Sequence, residues 1–198
     1  MGKIYTIPLL MTIPLYTANS VAAHNPFFGD TKNQLMLNLG QGFNSFALIA
    51  VPEMIVPFNM IQLTYSQPSE FFRMPARINI SAVKTIGYGK KYQYTDYTHT
   101  FTWDWQEYSS EIFVLTQDVA LLHTKNWYFG AGIGMGMQGQ QNERMGTKMM
   151  FAFKIFTGYR IADRINAELF AQHFSNGDAG GEANYSYNFW GLGFGYSF

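Results

Sequence analysis

The sequence predicts an all-β protein, an eight-stranded antiparallel transmembrane β-barrel of the outer membrane, and three observations carry that prediction. Apolar residues alternate with small or polar ones at period two in segment after segment, the mark of strands with two unlike faces. Aromatic residues make up 18% of the chain and charged residues only 13%, yet mean hydropathy is −0.09, so polarity is spread evenly among the apolar positions. Finally, no stretch reaches the ~18 consecutive apolar residues of a membrane-spanning helix, while short and long connections alternate between the candidate strands.

The first 23 residues read as a secretory signal peptide: Lys3 gives the positive start, Ile4 to Tyr16 the apolar region, and Ser20-Val21-Ala22-Ala23 the small residues of a cleavage site. The alternative is an N-terminal core strand or helix, and Pro8 and Pro14 disfavour the helix. Residues 24–198 then form a single barrel domain. Loss of Lys3 leaves 12 basic against 13 acidic residues.

Strands are expected at about 33–42, 54–67, 74–87, 108–122, 126–138, 146–160, 163–175 and 185–198. The fifth sets Trp127, Phe129, Ala131, Ile133, Met135 and Met137 against Gly130, Gly132, Gly134 and Gly136. In the sixth, Met149, Phe151, Phe153 and Ile155 alternate with Met150, Ala152, Lys154 and Phe156. The seventh sets Ile165, Ala167, Leu169 and Ala171 against Asn166, Glu168, Phe170 and Gln172; the eighth sets Trp190, Leu192, Phe194 and Tyr196 against Gly191, Gly193 and Gly195. Glycines with isolated charges such as Lys154 and Glu168 suit a narrow lumen, and the apolar face then turns to lipid. Eight is an even number and the smallest common size for such barrels.

Connections after strands two, four and six are short (Pro68–Arg73, His123–Lys125, Ile161–Ala162), and those after three, five and seven are long and polar or glycine-rich. That alternation puts short turns and both termini on the periplasmic side. The connection after the first strand, Phe43–Glu53, is long but mostly apolar and fits the pattern less well. The C-terminal Gly191–Phe198 segment ends in an aromatic with another two residues earlier, similar to the signal read by the outer-membrane barrel assembly machinery.

Several functions are excluded. With no cysteine there is no disulfide framework or thiolate metal site. Zero net charge and pI 6.9 argue against nucleic acid as a partner. His24, His99, His123 and His173 lie far apart without metal-ligand spacing. The glycines of 130–136 keep strict strand parity with no helix pattern after them, so they are no dinucleotide-binding turn, and no serine sits in a Gly-x-Ser-x-Gly elbow. No cofactor or metal is called for.

The informative residues break the lipid-facing pattern. Odd parity in the seventh strand continues from Ala171 to His173 and Ser175, two residues or ~6.6 Å apart along a strand. Even parity in the eighth, run back from Trp190, brings Asn188 to the same surface. Such polar groups are costly in hydrocarbon but stand where the strands reach the outer-leaflet head groups. A histidine, a serine and a third polar group are the parts of nucleophilic hydrolysis, and Asn176-Gly177 stands ready to supply oxyanion donors. The bland alternative, interfacial polar residues and nothing more, is not removed by spacing alone.

His173-Phe174-Ser175-Asn176-Gly177, with Asn184-Tyr185-Ser186-Tyr187-Asn188-Phe189-Trp190-Gly191-Leu192 and the terminal Phe198, resembles the lipid A 3-O-deacylase family, eight-stranded outer-membrane hydrolases of the acyloxyacyl hydrolase-like group. The resemblance implies Ser175 as nucleophile, His173 as base and Asn176 in the oxyanion region. Two departures stand out. The family's third member is a glutamate, and alignment from the C-terminus puts Asn188 there; Glu182, six residues upstream, is the alternative. The family often reads Ser-Asn-x-Gly, whereas Gly177 here follows Asn176 directly, leaving these two as the oxyanion and loop candidates.

The expected function is a cofactor-free serine esterase that removes an ester-linked 3-O acyl chain from lipid A of lipopolysaccharide. Its rivals are a non-enzymatic small barrel for adhesion or surface ligand binding, and an acyltransferase barrel with an interior site. Lys90, Lys91, Arg144 and Lys148, in or beside the outer loops, are either lipopolysaccharide phosphate contacts or ordinary solvated charges. The aromatic cluster Tyr92, Tyr94, Tyr97, Phe101, Trp103, Trp105 and Tyr108 reads as an interfacial girdle in preference to a grip on acyl chains. The sequence leaves open whether two copies form a homodimer.

Overall fold

The computed structural model describes residues 25–42, 58–87, 91–95, 100–104, 109–141, 145–177 and 186–198. Their alternating residues form ten strands: β1 (Gln34–Gly42), β2 (Phe58–Phe71), β3 (Met74–Gly87), β4 (Lys91–Thr95), β5 (Thr100–Asp104), β6 (Glu111–His123), β7 (Trp127–Gln138), β8 (Met149–Ala162), β9 (Ile165–Ser175) and β10 (Tyr187–Ser197). Eight of them close into a barrel in the order β1-β10-β9-β8-β7-β6-β3-β2, each antiparallel to its neighbours. The eight-stranded antiparallel architecture expected from the sequence is therefore present.

Two features differ from expectation. The second barrel strand runs to Phe71, through Pro68, and the connection shrinks to Phe72-Arg73. Pairing of β2 with β1 stops at Ser66, so beyond it one edge of β2 is unpaired and a proline lacking its N–H is tolerated. Phe72 and Arg73 both have positive φ, 48° and 66°, as the tight turn of a twisted hairpin requires. The second difference lies in the Tyr-rich loop, where β4 and β5 form a separate hairpin with Tyr92 in register with Trp103 and Tyr94 with Phe101. The proposed signal peptide and the 43–53 connection lie outside the described residues, as do Lys90 and Arg144.

The faces are inverted relative to a water-soluble fold. Leu35, Leu37 and Leu39 on β1, and Trp190, Leu192, Phe194 and Tyr196 on β10, stand exposed, whereas Gln34, Asn38, Gln62, Asn79 and Gln172 are buried. This is a barrel whose outside meets hydrocarbon.

The lumen is filled in layers. At mid-height Arg77 bridges Asp118 at 2.8 Å and Glu168 at 2.7 Å, and Lys154 lies 3.0 Å from Glu168. The Tyr128 hydroxyl donates to Glu168 at 2.9 Å. Two cations and two anions cancel, which is what allows four charges inside a barrel. Room for them comes from glycine: a methyl at Gly132 would overlap the Asp118 carboxylate. Below, Phe27 enters from the N-terminal segment, its ring 4.5 Å from the Arg77 guanidinium, and its carbonyl accepts from Gln34 Nε2 at 3.2 Å. Above lies an apolar layer including Met60, Val83, Ile112, Met150, Phe174 and Phe189.

Removing one member of the ion cluster leaves charge buried without compensation. Glu168→Ala should therefore destabilise the barrel by ~3–5 kcal/mol. Urea unfolding of the detergent-refolded protein checks this, and an unchanged midpoint would show that the cluster contributes nothing.

The two-residue turn at 72–73, the connection 124–126, the turn at 163–164 and both ends of the barrel gather at one rim. The end of β9 and the start of β10 lie at the opposite rim, which carries the longer connections.

Candidate active site

β9 and β10 build the site by alternation. Phe170, Gln172 and Phe174 of β9 point inward and are buried, so Ala171, His173 and Ser175 point outward and are half-buried. Phe174, between the histidine and the serine, packs inside the barrel edge-to-face on Phe189, with ring centroids 6.5 Å apart. That buried contact anchors the short backbone segment carrying both polar side chains.

The register places Asn188 of β10 directly opposite His173. Asn188 Oδ1 lies 2.6 Å from His173 Nδ1, and Asn188 Nδ2 donates to Ser186 Oγ at 3.1 Å. An amide oxygen only accepts, so in this contact the imidazole Nδ1–H is the donor. Although Asn188 has outward parity it is only 5% exposed. An oriented imidazole thus stands on the outside of the barrel wall, near the rim opposite the chain termini.

Ser175 is the last residue of β9 and the next outward position after His173, ~6.6 Å along the strand. On the other flank, β8 sets Phe153 opposite His173 and Phe151 opposite Ser175. Both rings are exposed, as are the neighbouring outward residues Met135, Met137 and Met149. A strip of apolar surface therefore runs beside the polar residues on the lipid-facing side, suited to an acyl chain.

Asn176 is fully buried, and Gly177 turns the chain with φ 63°. The positive φ calls for glycine, and a Cβ at Gly177 would also press on Phe151 Cε2 at 3.0 Å. Glu182 lies outside the described residues, and Asn188 is the third-member candidate found beside His173. Among the described residues no group of three His, Asp or Glu side chains is placed to hold a metal ion.

Sequence reasoning did not single out Ser186, Phe151 or Phe153. Ser186 shares the parity of Asn188, a signal that was available. Phe151 and Phe153 required the register of β8 against β9, which parity does not supply.

A family model described as Lipid A 3-O-deacylase (PagL) matches residues 72–197. A search of curated proteins finds no match. Among solved structures the chain is similar to the crystal structure of the outer membrane enzyme PagL, with 15% identity and a TM-score of 0.50 over 83% of this chain and 99% of that one. It is also similar to the outer membrane protein Ail of Yersinia pestis in a phospholipid bilayer nanodisc, with 13% identity and a TM-score of 0.45 over 85% of this chain and 100% of that one. At these identities the likeness to the PagL structure shows a shared fold.

Proposed function

The chain belongs to the lipid A 3-O-deacylase (PagL) family as a barrel of the bacterial outer membrane, and from that premise we propose that it is a serine esterase in which Ser175, His173 and Asn188 hydrolyse the 3-O acyl ester of lipid A. The observation that carries this reading is the 2.6 Å contact between His173 Nδ1 and Asn188 Oδ1, with Ser175 the next outward residue on the same strand.

Ser175 Oγ attacks the ester carbonyl carbon while His173 Nε2 takes the hydroxyl proton. Negative charge then develops on the carbonyl oxygen, and backbone N–H groups in the Asn176-Gly177 turn are the donors for it. The intermediate collapses: the C–O bond breaks, His173 returns its proton to the departing 3-hydroxyl, and the acyl group stays on Ser175. Water, deprotonated by His173, attacks the acyl-serine; the fatty acid leaves and Ser175 recovers its proton. Asn188 keeps the imidazole in one tautomer throughout. Phe151, Phe153 and the outward methionines give the acyl chain an apolar surface, so the substrate approaches from the outer leaflet without leaving the membrane.

An asparagine can orient the imidazole but lends no negative charge to the imidazolium. Glu182→Ala should leave the rate within about twofold, because the acceptor on His173 Nδ1 is Asn188 Oδ1, and loss of turnover in that variant alone would move the third role to Glu182.

The test is mass spectrometry of lipid A from cells expressing the wild type, Ser175→Ala or His173→Ala. Loss of one hydroxyacyl chain in the wild type alone supports the assignment. Identical spectra in all three refute it.

A further inference from the structure

A carboxylate presents two equivalent acceptors, but the ends of an amide are unlike: one only accepts and the other only donates. At position 188 the structure assigns both ends, with Oδ1 on His173 Nδ1 at 2.6 Å and Nδ2 on Ser186 Oγ at 3.1 Å. Ser186 stands just before β10 with φ 48°, left-handed backbone that non-glycine residues seldom adopt. Asn188 is 5% exposed, so its NH₂ group has little water to turn to.

Resting on the roles proposed above for Ser175, His173 and Asn188, we propose that Ser186 is a positioning residue of the reaction: its hydroxyl holds the Asn188 amide with the oxygen towards His173. Without that acceptor a buried N–H donor is left unpaired. Turning the amide over relieves it, because NH₂ then donates to His173 Nδ1 and the carbonyl faces the vacated side; an under-satisfied carbonyl is tolerated better than an orphaned N–H. The same turn moves the imidazole proton to Nε2, the nitrogen that must accept from Ser175, and the base is lost. A carboxylate at position 188 has no donor end to misplace. The need for Ser186 is therefore tied to the asparagine.

That link sets the experiment. Deacylation of purified lipopolysaccharide by the full chain in detergent micelles is compared for the wild type, Ser186→Gly, Asn188→Glu and the double variant, with Ser175→Ala alongside. Ser186→Gly keeps the left-handed backbone accessible and deletes the hydroxyl. In the asparagine background it should lower kcat roughly 10-fold, the weight of one hydrogen bond in a barrier, with KM unchanged. In the Asn188→Glu background the same change should cost less than about twofold, a coupling that independent sites do not show. Imidazole ¹⁵N NMR, with the His173 signal identified by its loss in His173→Ala, should show Nδ1–H alone in the wild type and a share of Nε2–H in Ser186→Gly.

Wild-type kcat and tautomer in Ser186→Gly overturn the proposal. So does an equal loss in both backgrounds, which a serine that merely shapes the chain would give. If Ser186→Gly impairs barrel assembly, judged by heat-modifiable migration, Ser186→Ala carries the same comparison. If Ser175→Ala remains active, the esterase assignment has failed and this proposal falls with it; if Ser175→Ala is inactive while Ser186→Gly matches the wild type, only the role of Ser186 falls.

Discussion

Ser175→Ala should leave lipid A fully acylated, with the deacylation rate reduced at least ~10³-fold, as when the nucleophile of a serine hydrolase is removed. The size of the effect follows from what the hydroxyl does. It forms the covalent bond, and no other described side chain on that surface lies between His173 and the outer end of β9. Alanine deletes one oxygen from a half-buried side chain at the end of a strand, so the barrel should assemble normally. Heat-modifiable migration on gels separates loss of chemistry from loss of fold. A Ser175→Ala protein that still releases the acyl chain at a tenth of the wild-type rate or more would mean that another group attacks the ester.

The second large effect lies at Asn188. Asn188→Ala removes the acceptor that holds His173 Nδ1 at 2.6 Å and should cost ~100-fold, below the ~10⁴-fold loss when a charged triad partner presents the wrong tautomer, because the resident amide supplies orientation without charge. Asn188→Glu should work in the opposite direction. A carboxylate accepts the same bond and stabilises the imidazolium formed in the transition state, and a charge-assisted bond exceeds a neutral one by ~1 kcal/mol or more, enough for a rise of about 5- to 10-fold in kcat. Initial rates on purified lipopolysaccharide measure both. Equal, small losses in the two variants would show that position 188 does not act on the histidine.

The barrel was legible in the sequence because its physics is binary. Each strand must turn alternate residues to lipid, and runs such as Trp190, Leu192, Phe194 and Tyr196 against glycines leave one solution. Parity also placed His173 and Asn188 on a common surface before any coordinates, since β9 and β10 are joined by a single connection and must be antiparallel neighbours. What parity cannot give is register. That His173 stands opposite Asn188 rather than a position higher or lower depends on how all eight strands stagger around the closed barrel. The same limit hid Phe151 and Phe153, which reach the site only through the pairing of β8 with β9. Pro68 misled for a different reason: a proline reads as a strand end unless it is known that β1 begins only at Gln34, opposite Ser66, and leaves that edge of β2 unpaired. The ion cluster was legible in part. Lys154 and Glu168 have inward parity, but the convergence of Arg77, Asp118 and Tyr128 on them is a matter of three-dimensional layering. The β4–β5 hairpin was hidden because Tyr92, Tyr94, Phe101 and Trp103, though spaced at period two, read together as one aromatic cluster within a loop.

The most direct test of the esterase assignment is the site of covalent modification. A fluorophosphonate probe reacts with a hydroxyl activated by a neighbouring base and reports the nucleophile itself, independent of substrate supply. Incubated with the folded barrel in detergent and mapped by peptide mass spectrometry, it should add one phosphonyl group at Ser175, lose that labelling in His173→Ala, and fail to label the heat-unfolded chain. An adduct on a different residue, or labelling of Ser175 that persists undiminished in His173→Ala, would contradict the account.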